Sequence, residues 1–203
     1  MAIKKFTLTD DAYIDTDNPT TNYASVTTIQ ILYNNYNLQM ACLKCSPMLF
    51  GIKVKSARLA LYCTAKGGTA QNISIYENTS DFSEATVTYN TKPTTGSAID
   101  TQAPATALAW YYWTLTTATV QQWASGGNNY GLSIKQPAST GAGTQYFTFA
   151  SSEYADSALR PYIEITYNPS GGLGYGNPWI FLKDMWEKHD RLWKPKLSEG
   201  YSY

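Results

Sequence analysis

Apolar and polar residues alternate in short runs along most of the chain. In residues 27–33, Ile29, Ile31 and Tyr33 share one face. Leu38–Lys44 forms a second run. In residues 54–64, Leu59, Leu61 and Cys63 share a face, and Ile73 and Ile75 alternate with Asn72, Ser74 and Tyr76. Residues 110–115, Leu132 with Ile134, and Phe147 with Phe149 continue the pattern. It closes with Ile163, Ile165 and Tyr167 against Glu164 and Thr166. A period of two predicts strands with one buried face. Asn34-Asn35, Gly67-Gly68, Lys92-Pro93, Gly126-Gly127-Asn128-Asn129 and Gly141-Ala142-Gly143 supply turn chemistry between the runs. Roughly ten short strands so punctuated predict an all-β, antiparallel, jelly-roll-like sandwich rather than alternating strands and helices. One short helix is predicted over Thr117–Ala124, where Val120 and Trp123 lie three apart and Gly126-Gly127 ends the turn.

The pattern changes after residue 167. Residues 168–177 are glycine-rich and read as a hinge between a sandwich domain (1–167) and a C-terminal docking tail (178–203). Asn177 and Pro178 are an N-cap and first-turn proline, predicting a helix from 178 to about 193 that Pro195 stops. Trp179, Trp186 and Trp193 recur every seven residues, and Leu182, Met185 and Leu192 widen their stripe. Such a helix is marginal alone in water and needs a surface. Its own sandwich, a groove on a partner and a second copy all remain open.

Charge narrows the partners. Fifteen basic and fifteen acidic residues give a net charge of zero, so neither nucleic acid nor an anionic membrane is an expected partner. No run approaches the ~20 apolar residues of a membrane span. The first residues lack a secretory h-region, so synthesis in the cytoplasm is expected. Cys42, Cys45 and Cys63 are odd in number. Cys42 and Cys45 have CxxC spacing, but on a strand positions three apart face opposite ways. Small reduced core residues are therefore expected.

Candidate chemistry is sparse. His189 is the chain's single histidine, which removes the usual nucleophile–histidine arrangements, and no enzymatic function is expected. Asp11, Asp15 and Asp17 are the candidate metal ligands, with hard oxygens suited to Ca²⁺, against a plainer role as turn caps. Tyrosines number 17. Tyr33, Tyr36, Tyr111 and Trp113 are the candidate glycan-stacking residues. Tyr is also a favoured strand residue, and of Tyr111, Tyr112 and Trp113 only one side can look outward.

Five stretches carry a resemblance. They are Asp11-Ala-Tyr-Ile-Asp with Asn18-Pro-Thr-Thr-Asn-Tyr; Val54-Lys-Ser-Ala-Arg-Leu-Ala-Leu-Tyr; and Ser80-Asp-Phe-Ser-Glu-Ala-Thr-Val-Thr-Tyr, followed by Pro93. Residues 117–123 with Asn129-Tyr-Gly-Leu, and Ser151-Ser-Glu-Tyr with Leu159-Arg-Pro-Tyr-Ile-Glu-Ile-Thr-Tyr, complete them. In this order they resemble the DNRLRE-type β-sandwich domain, which is related to carbohydrate-binding modules. The resemblance implies a jelly-roll-like fold and non-catalytic binding, often of polysaccharide. Phe82 and Tyr89 stand where the family favours tryptophan, and Met40-Ala-Cys-Leu-Lys-Cys replaces a Leu-x-Phe strand. Glu84, Glu153 and Arg160 match family positions, and a Glu–Arg pair is one structural explanation for them. A lone module with its own docking tail is similar to bacteriophage structural proteins. The expectation is therefore a virion decoration protein, anchored through Trp179, Leu182, Met185, Trp186 and Trp193 to a shell or connector. The alternative is a carbohydrate-binding module of an extracellular polysaccharide-degrading or cell-surface protein.

Overall fold

The computed structural model describes residues 1–34, 37–45, 51–138 and 145–168. Eleven strands lie within these: β1 (Ala2–Thr7), β2 (Asp10–Asp15), β3 (Thr28–Tyr33), β4 (Leu38–Lys44), β5 (Lys53–Gly67), β6 (Ile73–Asn78), β7 (Thr95–Gln102), β8 (Ala109–Leu115), β9 (Leu132–Lys135), β10 (Tyr146–Ala150) and β11 (Tyr162–Asn168). One helix, α1 (Thr117–Ala124), matches its predicted bounds and buries Val120 and Trp123. No helix among the described residues is long and apolar enough to cross a membrane.

Every pairing is antiparallel, and the strands join into one curled sheet in the order β1-β11-β5-β10-β3-β4-β9-β6-β7, with β8 added on β5 and β2 on β4. Curling lays β1-β11-β5-β8 over β2-β4-β9-β6-β7 as two layers, and β10 and β3 carry the ladder between them. On the far side, Asp100 of β7 accepts the Thr114 amide of β8 at 2.7 Å, so a carboxylate bridges two strand edges.

The core fills the space between the layers. Leu59, Leu61 and Cys63 of β5, Trp113 and Leu115 of β8, and Ile163 and Ile165 of β11 meet Ala41 and Leu43, Ile73 and Ile75, and Leu132 and Ile134. Trp113 is fully buried, and its indole donates to the Ile73 carbonyl at 2.9 Å, a bond that spans the core. A second, smaller core lies outside the β2–β4 pair. There Phe82, Val87 and Tyr89, from a flap of residues 79–94, cover Ala12, Ile14, Met40 and Cys42. Strand β4 is thus buried on both faces, which explains why it reads as a nearly continuous apolar run.

The strands predicted from alternation are present. Strands β1, β2 and β7 lie outside the alternating runs: β1 buries only Phe6, β7 buries no residue completely, and β2 is buried on both faces with carboxylates at Asp11 and Asp15. The three cysteines are free and buried. Cys42 packs in the small core and Cys45 in the large one, on opposite sides as the spacing requires. Burial pushes both thiols up to about 12, so neither is poised for redox or metal chemistry. Asn168, the first residue of the predicted hinge, instead ends β11; the rest of the hinge, the predicted tail helix with its tryptophans, and Tyr36 fall outside the described residues.

Trp113→Ala removes a fully buried indole and its cross-core hydrogen bond. It is expected to cost about 3–5 kcal/mol of stability in chemical denaturation. A loss below 1 kcal/mol would contradict this packing.

Candidate functional site

Two places concentrate chemistry. The first is the outer face of β1-β11-β5-β8. Because side chains alternate, the core residues of β5 are Ala57, Leu59, Leu61 and Cys63, and Ser56, Arg58, Ala60 and Tyr62 point away from the core. In register, Tyr62 stands opposite Trp110, Ala60 lies between Tyr162 and Tyr112, and Arg58 lies between Glu164 and Thr114. The Trp110 ring packs edge-on to Tyr62 at 5.5 Å and tilted against Tyr162 at 5.2 Å. Tyr112 is 37% exposed. Desolvation, then Tyr162, raises its phenol pKa.

Charged groups frame these rings. Arg58 lies over the Tyr112 ring at 4.2 Å and pairs with Glu164 at 2.8 Å, while Lys5 lies over Tyr162 at 4.3 Å. Beside the rings, a shallow depression of about 350 Å³ is lined by Ser56, Arg58, Thr114, Glu164 and Thr166. The face therefore offers flat apolar surfaces next to fixed hydrogen-bond donors and acceptors, the mixture that a polyhydroxylated ligand needs.

The second place is an acidic junction. Asp11 at the start of β2, Glu84 in the flap and Glu153 after β10 bring carboxylate oxygens within 4.8 Å of one another. The Asp11 amide donates to Glu84 Oε1 at 2.8 Å, and the Ser152 amide donates to Asp11 Oδ2 at 2.7 Å. The Ser152 hydroxyl donates to Glu153 Oε1 at 2.7 Å. Asp11 Oδ1 and Glu153 Oε2 are sealed from solvent without a hydrogen-bond partner. Desolvation, with the Glu153 and Glu84 charges adding to it, pushes Asp11 up to about 7 against the pull of the Ser152 amide. Glu84 is raised as well, chiefly by burial.

Several sequence expectations need correction. Asp11, Asp15 and Asp17 cannot share one ion. Asp11 is the second residue of strand β2 and Asp15 its last, which holds them about 13 Å apart at ~3.3 Å per residue. Asp15 instead caps the following turn, accepting from the Asp17 amide, Asn18 and Gln39, and Asp17 is exposed. Trp113 is a core residue with no face to offer a sugar. The Tyr111 hydroxyl is taken up by the Ala105–Thr106 backbone, and its ring packs on the core. Tyr33 is half-buried on β3, away from the aromatic face. Glu84 and Glu153 do not pair with Arg160, whose Nε donates to the Tyr154 carbonyl at 2.8 Å.

Tyr62, Trp110 and Tyr162 are not among the sequence candidates, and Tyr112 enters the sequence reading only with its side of the strand left open. Both parities of residues 110–113 are aromatic, so alternation alone does not say which side is in. Glu84 and Glu153 had a signal: with Asp11, they occupy three of the stretches that carry the family resemblance.

A family model described as carbohydrate-binding module family 96 matches residues 2–167. Among curated proteins, the tRNA nuclease WapA of Bacillus subtilis (strain 168) is 38% identical over 93 residues, covering 45% of this chain and 4% of that protein. The tRNA3(Ser)-specific nuclease WapA of Bacillus spizizenii is 37% identical over 93 residues, with the same coverage. The chain thus corresponds to a small part of each relative.

The raised Asp11 carboxyl has a consequence for stability under chelating conditions. The folded chain then holds a proton that the unfolded chain releases near its ordinary value of 3.8. The folded state binds more protons in that window, so stability falls as pH rises from about 4 to about 7 and levels off above it. Thermal melts in chelator across this range should show the fall, and Asp11→Asn should flatten it. A wild-type profile no steeper than that of the variant would contradict the assignment.

Proposed function

Since the chain belongs to carbohydrate-binding module family 96 across residues 2–167, we propose that the sandwich is a non-catalytic module that holds a polysaccharide chain on the outer face of β1-β11-β5-β8. The observation that carries this reading is the cluster of Tyr62, Trp110, Tyr112 and Tyr162 on one solvent-facing sheet surface, beside a shallow depression with charged and hydroxyl side chains in its lining. Pyranose rings present a C–H face that packs on aromatic rings, and their hydroxyls need oriented partners. Arg58, Glu164 and Thr114 line that depression. Mutual packing already fixes the rings, and Arg58 is held between Tyr112 and Glu164, so little side-chain entropy is lost on binding. This reading sets the protein at an extracellular polysaccharide. It assigns no catalytic step to the face.

A narrower reading rests on Trp179, Trp186 and Trp193. Their heptad spacing supports a docking segment within residues 178–203, and a virion shell or connector is the partner that the likeness to bacteriophage structural proteins suggests. A chain ending at Gly172 should keep its fold and its glycan binding but fail to join the assembled particle. Undiminished incorporation would sink the docking role.

Affinity electrophoresis tests the glycan face directly, through gels containing a neutral β-glucan, a xylan or a polyuronate. At least one should retard the wild-type protein. Trp110→Ala and Tyr112→Ala should each weaken that retention about tenfold, or ~1.4 kcal/mol, while changing stability by no more than about 1 kcal/mol. Wild-type retention in both variants would rule this face out.

A further inference from the structure

We infer that Asp11, Glu84 and Glu153 form a calcium site that pins the flap of residues 79–94 to the body of the sandwich. Three carboxylates from segments far apart in sequence converge within 4.8 Å. Convergence alone proves little, since acidic groups often gather at loops. The decisive atom is Asp11 Oδ1. Asp11 is 1% exposed, one of its oxygens accepts the Ser152 amide, and the other faces the cluster with no partner. Glu153 repeats the arrangement, with Oε1 held by the Ser152 hydroxyl and Oε2 sealed and unpartnered. A buried carboxylate oxygen without a partner is costly, and here two of them adjoin a third carboxylate, that of Glu84.

No side-chain cation among the described residues answers them. The ion pairs among the described residues are Lys44–Asp81 and Arg58–Glu164, and Arg160 is turned to a backbone carbonyl. What remains is a bound cation. All three ligands are hard oxygens, with neither imidazole nor thiolate in the group, which selects an alkaline-earth ion over zinc or copper. Three carboxylates from three independent segments suit calcium, which takes six to eight oxygens in adaptable geometry. Magnesium usually keeps several waters and uses one or two carboxylates. Each carboxylate is already oriented through one oxygen by a backbone or hydroxyl donor, so the ion meets a prepared site.

The consequence is mechanical. Glu84 belongs to the flap that carries Phe82, Val87 and Tyr89 over the second core. Asn22 holds the same flap by donating to the carbonyls of Glu84 and Val87, both at 2.7 Å. Calcium adds a third anchor, tying the flap at once to β2 and to the segment after β10.

The test uses the full chain, stripped with chelator and titrated with CaCl₂ up to about 10 mM, a range that includes the weak sites of extracellular modules. Calorimetry should show one site per chain, and the melting temperature should rise with calcium as mass action requires. Asp11→Asn and Glu84→Gln should each abolish both signals. Asp17→Asn, at an exposed acid outside the cluster, should keep them. If Asp11→Asn does not fold, Glu84→Gln, at a partly exposed flap residue, decides the matter alone. The inference is overturned by a wild-type protein that neither binds calcium nor gains stability from it, or by a response that persists in Glu84→Gln. An equal response to MgCl₂ overturns the choice of calcium.

Discussion

Strand β5 is hydrogen-bonded on both edges where it matters most. Residues 57–60 pair with β11 on one side and with β8 on the other. A strand held on both edges cannot slip without breaking two ladders, and a slip of one residue would exchange its faces. Ala57, Leu59, Leu61 and Cys63 would leave the core, and Arg58 and Tyr62 would enter it. Burial of the first set therefore forces the second into solvent, and the same ladders align Tyr162, Glu164, Trp110, Tyr112 and Thr114 beside them. Ala60 completes the arrangement. It lies in register between Tyr162 and Tyr112, and its small side chain lets the two larger residues close over it. Core and candidate ligand face are thus two results of one register.

The acidic junction answers a different constraint. Strand β4 has a core on each side, and the outer one is small and roofed by a flap with no regular strand of its own. A flap of that kind buries few apolar side chains, so its attachment depends on polar contacts. Asn22, the Asp11 amide and the Lys44–Asp81 pair provide some of them. The carboxylates work against the others unless something neutralises them. A proton on Asp11 does so at low pH, and a divalent ion does so at neutral pH while also tying three segments together. The outer sheet face needs no such help, because its rings and ion pair support one another.

Much of the fold was legible in the sequence because burial on one face leaves a period of two, and turn residues mark the ends of strands. Ile29 and Ile31, Leu59 and Leu61, and Ile163 and Ile165 are all core residues for this reason. Strands β1 and β7 were silent because an edge strand is held by its ladder with little burial. The glycan candidates failed at Trp113 because aromatic residues serve core and ligand equally well, and only the ladder of β8 on β5 settles which parity faces in. The metal candidates failed at Asp15 and Asp17 because proximity in sequence along an extended strand becomes distance in space. Glu84 and Glu153 reach Asp11 through tertiary folding across 73 and 142 residues of sequence respectively, separations that no local pattern encodes.

The central claim is that ligand binding belongs to the face opposite the core residues of β5. The most direct measurement is a nuclear magnetic resonance titration of the labelled protein with oligosaccharides cut from whichever polysaccharide retards it. The account predicts that shift changes concentrate on the side chains of Tyr62, Trp110, Tyr112, Tyr162 and Arg58, with the flap and β3 left unmoved. Changes centred on Tyr33, the flap or the turns, with the Trp110 indole unperturbed, would contradict it.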